Sequence, residues 1–199
     1  MRQKILEVAI EQFSHYGVRI VTMEDIARLI GISKKTLYQE FKDKKELIKE
    51  AFSTVLEQDC QKLQDFADSK DGVIEHLVQT SKMVRERLSA MNPLVIIEIQ
   101  RYFPDTWEVF ERYREEVIET DLVNVLERGK KLGYFRPEIN SAILAKMRVE
   151  QISAGFNMTN LRNSEFTLVE MQVSVLDHFL HGIFTDKGRE SYLQKQNLN

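Results

Sequence analysis

The chain has 199 residues, 43% of them hydrophobic and 30% charged, with a formal net charge of −3. That size suits one compact body with a small satellite, and that balance is ordinary for a soluble globular protein. A net negative chain is not one that coats nucleic acid indiscriminately, and no apolar run approaches the ~18 residues a membrane helix requires.

Only 8 Gly and 3 Pro are present, so few breakers interrupt the chain and long helices are favoured over many short strands. The first residues, "MRQKILEVAIEQF", carry acids on a helical period and do not read as a signal peptide. The single cysteine, Cys60, cannot form an internal disulfide, which fits a reducing cytoplasm. A cytoplasmic protein without a membrane partner is the expectation.

In chain order, Ile5, Leu6, Ala9, Ile10 and Phe13 form the buried stripe of a first helix over 2–16, which Gly17 can end. Thr22, with Asp25 three residues on, caps a second helix whose inner face is Met23, Ile26, Ala27 and Ile30. Gly31 stops it. Ser33 caps a third helix that buries Leu37 and Phe41, and Asp43 with Glu46 starts a fourth running from Lys44 toward Asp68. Three short helices joined by tight turns form a bundle with a helix-turn-helix at about 22–41. A fifth helix spans Gly72 to Ala90, and a sixth opens at Pro93 and closes at Pro104. A long helix covers about Asp105 to Leu132, followed by the loop "GKKLGYFRPEIN". Asn140 caps a helix to about Arg162, a last long helix spans about Phe166 to Phe184, and the polar end reads as a frayed tail. The fold class is all-α, about nine helices, with no convincing strand.

Charge is unevenly placed. Residues 1–50 hold 10 Lys/Arg against 8 Asp/Glu, and five lysines fall within 34–45. A recognition helix enters the major groove by its N-terminal end, where free N–H groups already favour phosphate. Lys34, Lys35, Thr36, Tyr38 and Gln39 project opposite Leu37 and Phe41. Lysine neutralises phosphate or meets guanine acceptors, Thr36 suits a phosphate or a thymine methyl, and the Tyr38 hydroxyl suits the backbone. Lys44 adds a flanking phosphate contact. The plain alternative is a solvated lysine face.

Residues 9–48, "AIEQFSHYGVRIVTMEDIARLIGISKKTLYQEFKDKKELI", resemble the DNA-binding domain of tetracycline-repressor-like (TetR/AcrR) transcriptional regulators. Phe13, Gly17, Thr22, Ile26, Ala27, Gly31, Ser33, Leu37, Tyr38, Phe41, Lys44 and Leu47 occupy the family's motif places. Gln39 and Glu40 depart from it, since the family more often has basic or aromatic residues there; this bears on the operator sequence and not on the domain. The resemblance implies an N-terminal helix-turn-helix domain over 1–48 and a C-terminal helical domain over 49–199 for ligand binding and dimerisation. It implies a homodimer on a palindromic double-stranded operator, released by a small-molecule effector. Thr22 and Ser33 join the DNA-contacting set with the residues above.

The last two helices step apolar residues along Met147, Ala154 and Met158, and along Val169, Val173, Leu176, Leu180 and Ile183. Their residues read either as one subunit's core or as a four-helix interface about a two-fold axis; the resemblance favours the interface. A small, mostly apolar effector would lie among Met83, Met91, Ile97, Phe103, Trp107, Phe110, Tyr113, Met147, Phe156 and Met158, with Arg85, Glu98, Gln100 and Arg101 as polar candidates. The same residues at helical spacing equally make plain core. Asp177, His178 and His181 have no further ligand to complete a metal site, and no metal or other cofactor is expected. Asn157–Thr159 matches a glycosylation pattern inside a predicted helix and is set aside. No E-x-x-H pair, phosphate-binding glycine loop or G-x-S-x-G element supports an enzyme. The remaining alternative is a DNA-binding regulator with no effector.

Overall fold

The computed structural model describes residues 1–69, 72–156 and 165–196. In chain order the helices are α1 (Arg2–Tyr16), α2 (Met23–Ile30), α3 (Lys34–Glu40), α4 (Lys44–Asp68), α5 (Gly72–Ala90), α6 (Leu94–Tyr102), α7 (Pro104–Arg112), a π-helical segment (Tyr113–Ile118), α8 (Glu119–Lys131), α9 (Ser141–Gly155), α10 (Leu168–Ile183) and α11 (Asp186–Gln196). Among the described residues the only strand-like pairing is an isolated antiparallel bridge, Phe135 to Phe184. The helices pack as two units. One is Met1–Asp59 with Leu88–Glu111, the other Cys60–Arg87 with Arg112–Asn199.

The first unit is built on short capped helices. The Thr22 hydroxyl accepts the Asp25 N–H at 3.1 Å, and the Asp25 carboxylate accepts the Thr22 N–H at 3.0 Å. This is the reciprocal capping box expected from the spacing. Gly31 takes the left-handed conformation (φ 78°) that turns α2 toward α3, and its N–H returns to the carbonyls of Ala27 and Arg28. Asp43 accepts the Glu46 N–H at 2.9 Å; Glu46 reaches back to the Lys42 N–H at 2.7 Å. Phe13, Ile26, Leu37, Phe41 and Leu47 meet in one core, joined by Val95 and Ile99 of α6. Arg2 fastens the bundle from below. Its guanidinium lies 4.0 Å over the Phe41 ring, its Nε donates to Glu50 at 2.8 Å, and it also donates to the Glu40 carbonyl.

The second unit centres on Val73, Ile74 and Leu77 of α5, Val125 and Leu126 of α8, and Phe179, Leu180 and Ile183 of α10. Gln172 of α10 donates to the Ile152 carbonyl at 3.0 Å beside Gly155 of α9. Asn140 caps α9 through the Ile143 N–H.

Four differences from the sequence reading stand out. Pro104 opens α7 instead of closing α6, in keeping with proline's fit to the first turn of a helix. The long helix expected over 105–132 contains a π segment, in which the Glu119 N–H donates to Arg114 O five residues back. α9 ends at Gly155, short of Arg162; Met158, Leu161 and the 157–159 tripeptide lie outside the described residues. The C-terminal end is not frayed through 186–196 but forms α11. Tyr192 is 2% exposed and stacks against Phe184 at 5.1 Å. Gly188 lies so close to Tyr134 that a Cβ would fall 2.0 Å from its carbonyl oxygen. Lys187 donates to Leu132 O at 2.8 Å, and Lys195 pairs with Glu75 at 2.7 Å. The segment reads as polar because Gly188 and Tyr192 are its only buried residues.

Tyr192→Ala is expected to cost about 3 kcal/mol in urea unfolding, where truncation in an undocked tail would cost under about 0.5 kcal/mol. The Lys195 hydrogen bond, followed by that of Gln79, holds the Glu75 carboxyl below its ordinary 4.5. A depressed carboxyl contributes stability above its unfolded value and loses it as pH falls through the folded one. Lys195→Ala should therefore reduce stability at pH 7 and leave less to lose below pH 4.5, as seen in a pH series of melting temperatures.

Candidate nucleic-acid interface

The seven residues of α3 divide cleanly between anchor and tip. Leu37 and, just past the helix, Phe41 are 0% exposed, and Lys34, Lys35, Tyr38 and Gln39 are exposed on the other side. The Ser33 hydroxyl accepts the Thr36 N–H at 3.0 Å and shares a hydrogen bond with the Thr36 hydroxyl at 2.8 Å. Ser33 and Thr36 are thus tied together at the head of the helix, and Thr36 is half-buried. Lys34 stands 3.5 Å from the Glu24 carboxylate of α2, both side chains being well exposed. Such a surface pair is weak and readily exchanged. Lys35 has neither an ion pair nor a hydrogen bond among the described residues.

Thr22 and Lys44 are held differently from the α3 tip. Thr22 is engaged with Asp25, including a 2.7 Å hydroxyl-to-carboxylate bond, and that bonding holds the Asp25 carboxyl below its usual range. Lys44 donates to the Arg19 carbonyl at 3.0 Å. Partial burial pulls its ammonium below the usual lysine value, partly offset by attraction to Glu98. Lys44 therefore fixes the α1–α2 loop.

Sequence reading missed the other supports of that loop. Glu98 of α6 accepts the Arg19 N–H at 3.0 Å, and Tyr102 of α6 lies under the Arg19 guanidinium at 4.5 Å. Asn92 donates through its backbone to Ser14 O at 2.8 Å. Contacts spanning 79 residues leave no local signal. Glu98, a polar candidate for an effector, is instead committed to positioning the head.

The nine apolar effector candidates inside the described chain fall in both units. Met91, Ile97, Phe103, Trp107 and Phe110 belong to the first, where Met91, Phe103 and Trp107 pack on the core of the head. Met83, Tyr113, Met147 and Phe156 belong to the second. Phe156 is buried, whereas Met147 is 51% exposed and does not line an interior. Of the interface candidates, Met147 and Ala154 are exposed on α9, in line with Ile143 one turn before. Val169, Val173 and Leu176 are half-buried on α10. Leu180 and Ile183, 1% and 2% exposed, are core residues of the single chain, and a partner subunit cannot touch them. The 4-3-4-3 stepping was a correct sign of burial and a wrong sign of what covers them. His181 stands 3.6 Å from Asp177, and no group of three metal-ligating side chains occurs among the described residues.

Comparison with known proteins places this geometry. The family model for bacterial regulatory proteins of the tetR family matches residues 5–51, the helix-turn-helix head with the start of α4. The HTH-type transcriptional repressor KstR2 of Mycobacterium tuberculosis is 29% identical over 142 residues, covering 70% of this chain and 71% of that protein. A transcriptional regulator from Cytophaga hutchinsonii superposes with a TM-score of 0.71 at 21% identity, over 92% of this chain and 98% of its own. The regulator FadR of Bacillus subtilis, solved with stearoyl-CoA, gives 0.63 at 17% identity over 92% and 100%. Residues 5–51 are thus a head of the tetR family, joined to a body with the all-helical fold of solved transcriptional regulators, and the chain is a DNA-binding transcriptional regulator.

Proposed function

We propose that the protein is a homodimeric repressor that binds a palindromic operator through α3 of each subunit and leaves it when a small molecule binds the C-terminal domain. The observation that carries the DNA half of this reading is the tip of α3. Two lysines, Tyr38 and Gln39 are held in solvent by two fully buried anchors on the opposite side. Cations at a helix start oppose its dipole, so their presence here has a use in binding phosphate. Lys34 and Lys35 neutralise backbone phosphates, Tyr38 and Thr36 hydrogen-bond to the backbone, and Gln39 reaches base edges. Thr22 and Ser33 bring helix starts to the backbone, and Lys44 adds its remaining N–H donors. The DNA-binding domain is residues 1–48, and residues 49–199 carry effector binding and pairing.

Pairing uses the exposed row Ile143, Met147 and Ala154 of α9 with Val169, Val173 and Leu176 of α10. Two large apolar side chains on one helix face, 57% and 51% exposed, suit burial against a second copy. A two-fold dimer sets its recognition helices one DNA turn apart, about 34 Å. The effector half is supported by the family and by relatives that are themselves regulators; KstR2 is named a repressor, and the B. subtilis structure holds a small molecule in the same fold. No described helix is long and apolar enough to cross a membrane, and work on chromosomal DNA assigns the protein to the cytoplasm. Its relatives being regulators, it is read as a regulator and not as an enzyme.

Affinity for a DNA fragment selected from a random pool should fall as salt rises, with a log–log slope of about −0.9 per phosphate neutralised. Lys34→Ala with Lys35→Ala should lower that affinity at least about tenfold and flatten the slope by about 2, with helix content and dimer mass unchanged; an unaltered slope would remove α3 from the interface. Ile143→Glu with Met147→Glu should shift the sedimentation mass toward the monomer while preserving the circular dichroism of the wild type. A retained dimer would assign pairing to another surface.

A further inference from the structure

Among the described residues, five buried side-chain atoms have no hydrogen-bond partner: His76 Nδ1, Thr80 Oγ1, Arg114 Nε, Arg148 Nη1 and Gln151 Oε1. All five belong to the second unit. Folded proteins leave few such groups, and a cluster of them calls for a missing partner. Arg148 is the sharpest case. It is 4% exposed, and no carboxylate pairs with it among the described residues. Burial draws its guanidinium down to about 10 with nothing opposing the shift. A guanidinium does not shed its proton near pH 7 even so, leaving a buried cation without a counter-ion.

Helix register brings these groups to one level. Ser141 bonds to Glu127 at 2.5 Å, and Arg114 donates to Ser153. α9 therefore runs antiparallel to the 104–131 helix, setting Gln151 near the level of Val117 and Arg148 near that of Thr120. Arg128 donates to Ala67 O, just before α5 begins, and His76 meets Asp121 at 3.1 Å. α5 is thus antiparallel to the same helix, and Thr80, one turn past His76, also comes level with Val117. At 1.5 Å per residue, the stretch from Arg114 to Asp121 is about 10 Å long. The π segment Tyr113–Ile118 occupies that same stretch. Single π turns inside α-helices are frequent at functional sites, which is a second observation independent of the orphaned atoms.

We propose that this level of the second unit, among α5, the π segment and α9, is an acid-recognition site in which Arg148 receives the carboxylate of an otherwise apolar effector. The site deepens the regulator reading above and rests on it for the word effector. Arg148 supplies charge, Thr80 a hydroxyl donor, and Gln151 an amide whose oxygen and nitrogen exchange by a flip of the side chain. Arg114, with Nη1 and Nη2 turned toward Ser153 and Glu115, has Nε free to add a donor. Half-buried Met83, Val117 and Ile118 offer apolar surface at the same level. With Arg114 already paired to Glu115 and Asp121 to His76, the Arg148 guanidinium is the one charge left to match a monoanion among the described residues of this level, and the apolar neighbours match a hydrocarbon body. The effector is therefore an organic acid, not a neutral or cationic compound.

The test uses the full-length protein, with decanoate, benzoate and cyclohexanebutyrate as probes, each against its amide. At least one acid should bind by calorimetry about tenfold or more tighter than its amide, from the loss of a charge-assisted hydrogen bond. Arg148→Met should abolish that preference, and Gln151→Leu should weaken the acid severalfold; both variants should bind selected DNA as wild type does. Ligand-free Arg148→Met should melt no lower than wild type, because an unpaired buried charge has been removed. A melting temperature several degrees lower, or a failure to fold, would make Arg148 a structural residue and overturn the site. Acids and amides that bind equally, or no acid that binds, would overturn it as well. An acid that binds through Arg148 yet leaves DNA bound at saturation confirms the site and refutes the effector reading. DNA binding that fails without any ligand refutes the regulator reading alone.

Discussion

A seven-residue helix has no stability of its own in water, because nucleation fixes several residues before the hydrogen bonds that follow can compensate. α3 exists because Leu37 and Phe41 are driven out of water into the core of the head. Everything on its far side depends on that burial. Apart from the weak surface pair of Lys34 with Glu24, the lysines, Tyr38 and Gln39 have no ion pair that would fix their direction among the described residues; the anchors fix it for them. Ser33 completes the arrangement by satisfying the Thr36 N–H. Arg2 holds the other end through the Phe41 ring and the Glu40 carbonyl.

The head is also held from a distance. The α1–α2 loop is pinned at Arg19 by Glu98 and Tyr102 of α6 and by Lys44 of α4. Two distant stretches of chain thus converge on a loop whose Val18 and Val21 are themselves buried. Lys44 adds a tie from the start of α4, its ammonium donating to the Arg19 carbonyl. Glu98 serves by accepting a backbone N–H, a contact that a non-polar residue could not make.

The two units differ in how completely their polar groups are satisfied. In the head the caps and turns close on themselves, and none of the orphaned buried atoms belongs to it among the described residues. In the second unit, nitrogens of two guanidinium groups, an amide oxygen, a hydroxyl and an imidazole nitrogen are buried without partners among the described residues. A core optimised only for stability would replace Arg148 by a hydrocarbon side chain. The π segment beside it also departs from the most stable helical geometry. The tight contact of Gly155 with Gln172, by contrast, is plain packing of α9 on α10.

The sequence by itself determined the head almost to the residue. Its caps are local interactions, three or four residues apart, and its glycine turn and apolar stripe are read directly from spacing. The ends of α4 and α5, the all-helical class and the direction of the α3 tip are determined in the same way. Tertiary structure alone decided the rest. Leu180 and Ile183 carry the same periodic signal whether a partner or their own chain covers them, so only packing could assign them to the core. Tyr192 is one aromatic in a polar run; it packs on Phe184, while the helix that carries it docks through Gly188 on Tyr134 and through Lys195 on Glu75, far away along the chain. A π turn in an unbroken helical pattern and an unpaired arginine on α9 have no local mark. Pairing is a property of what surrounds a side chain, and the surroundings are set only when the helices meet.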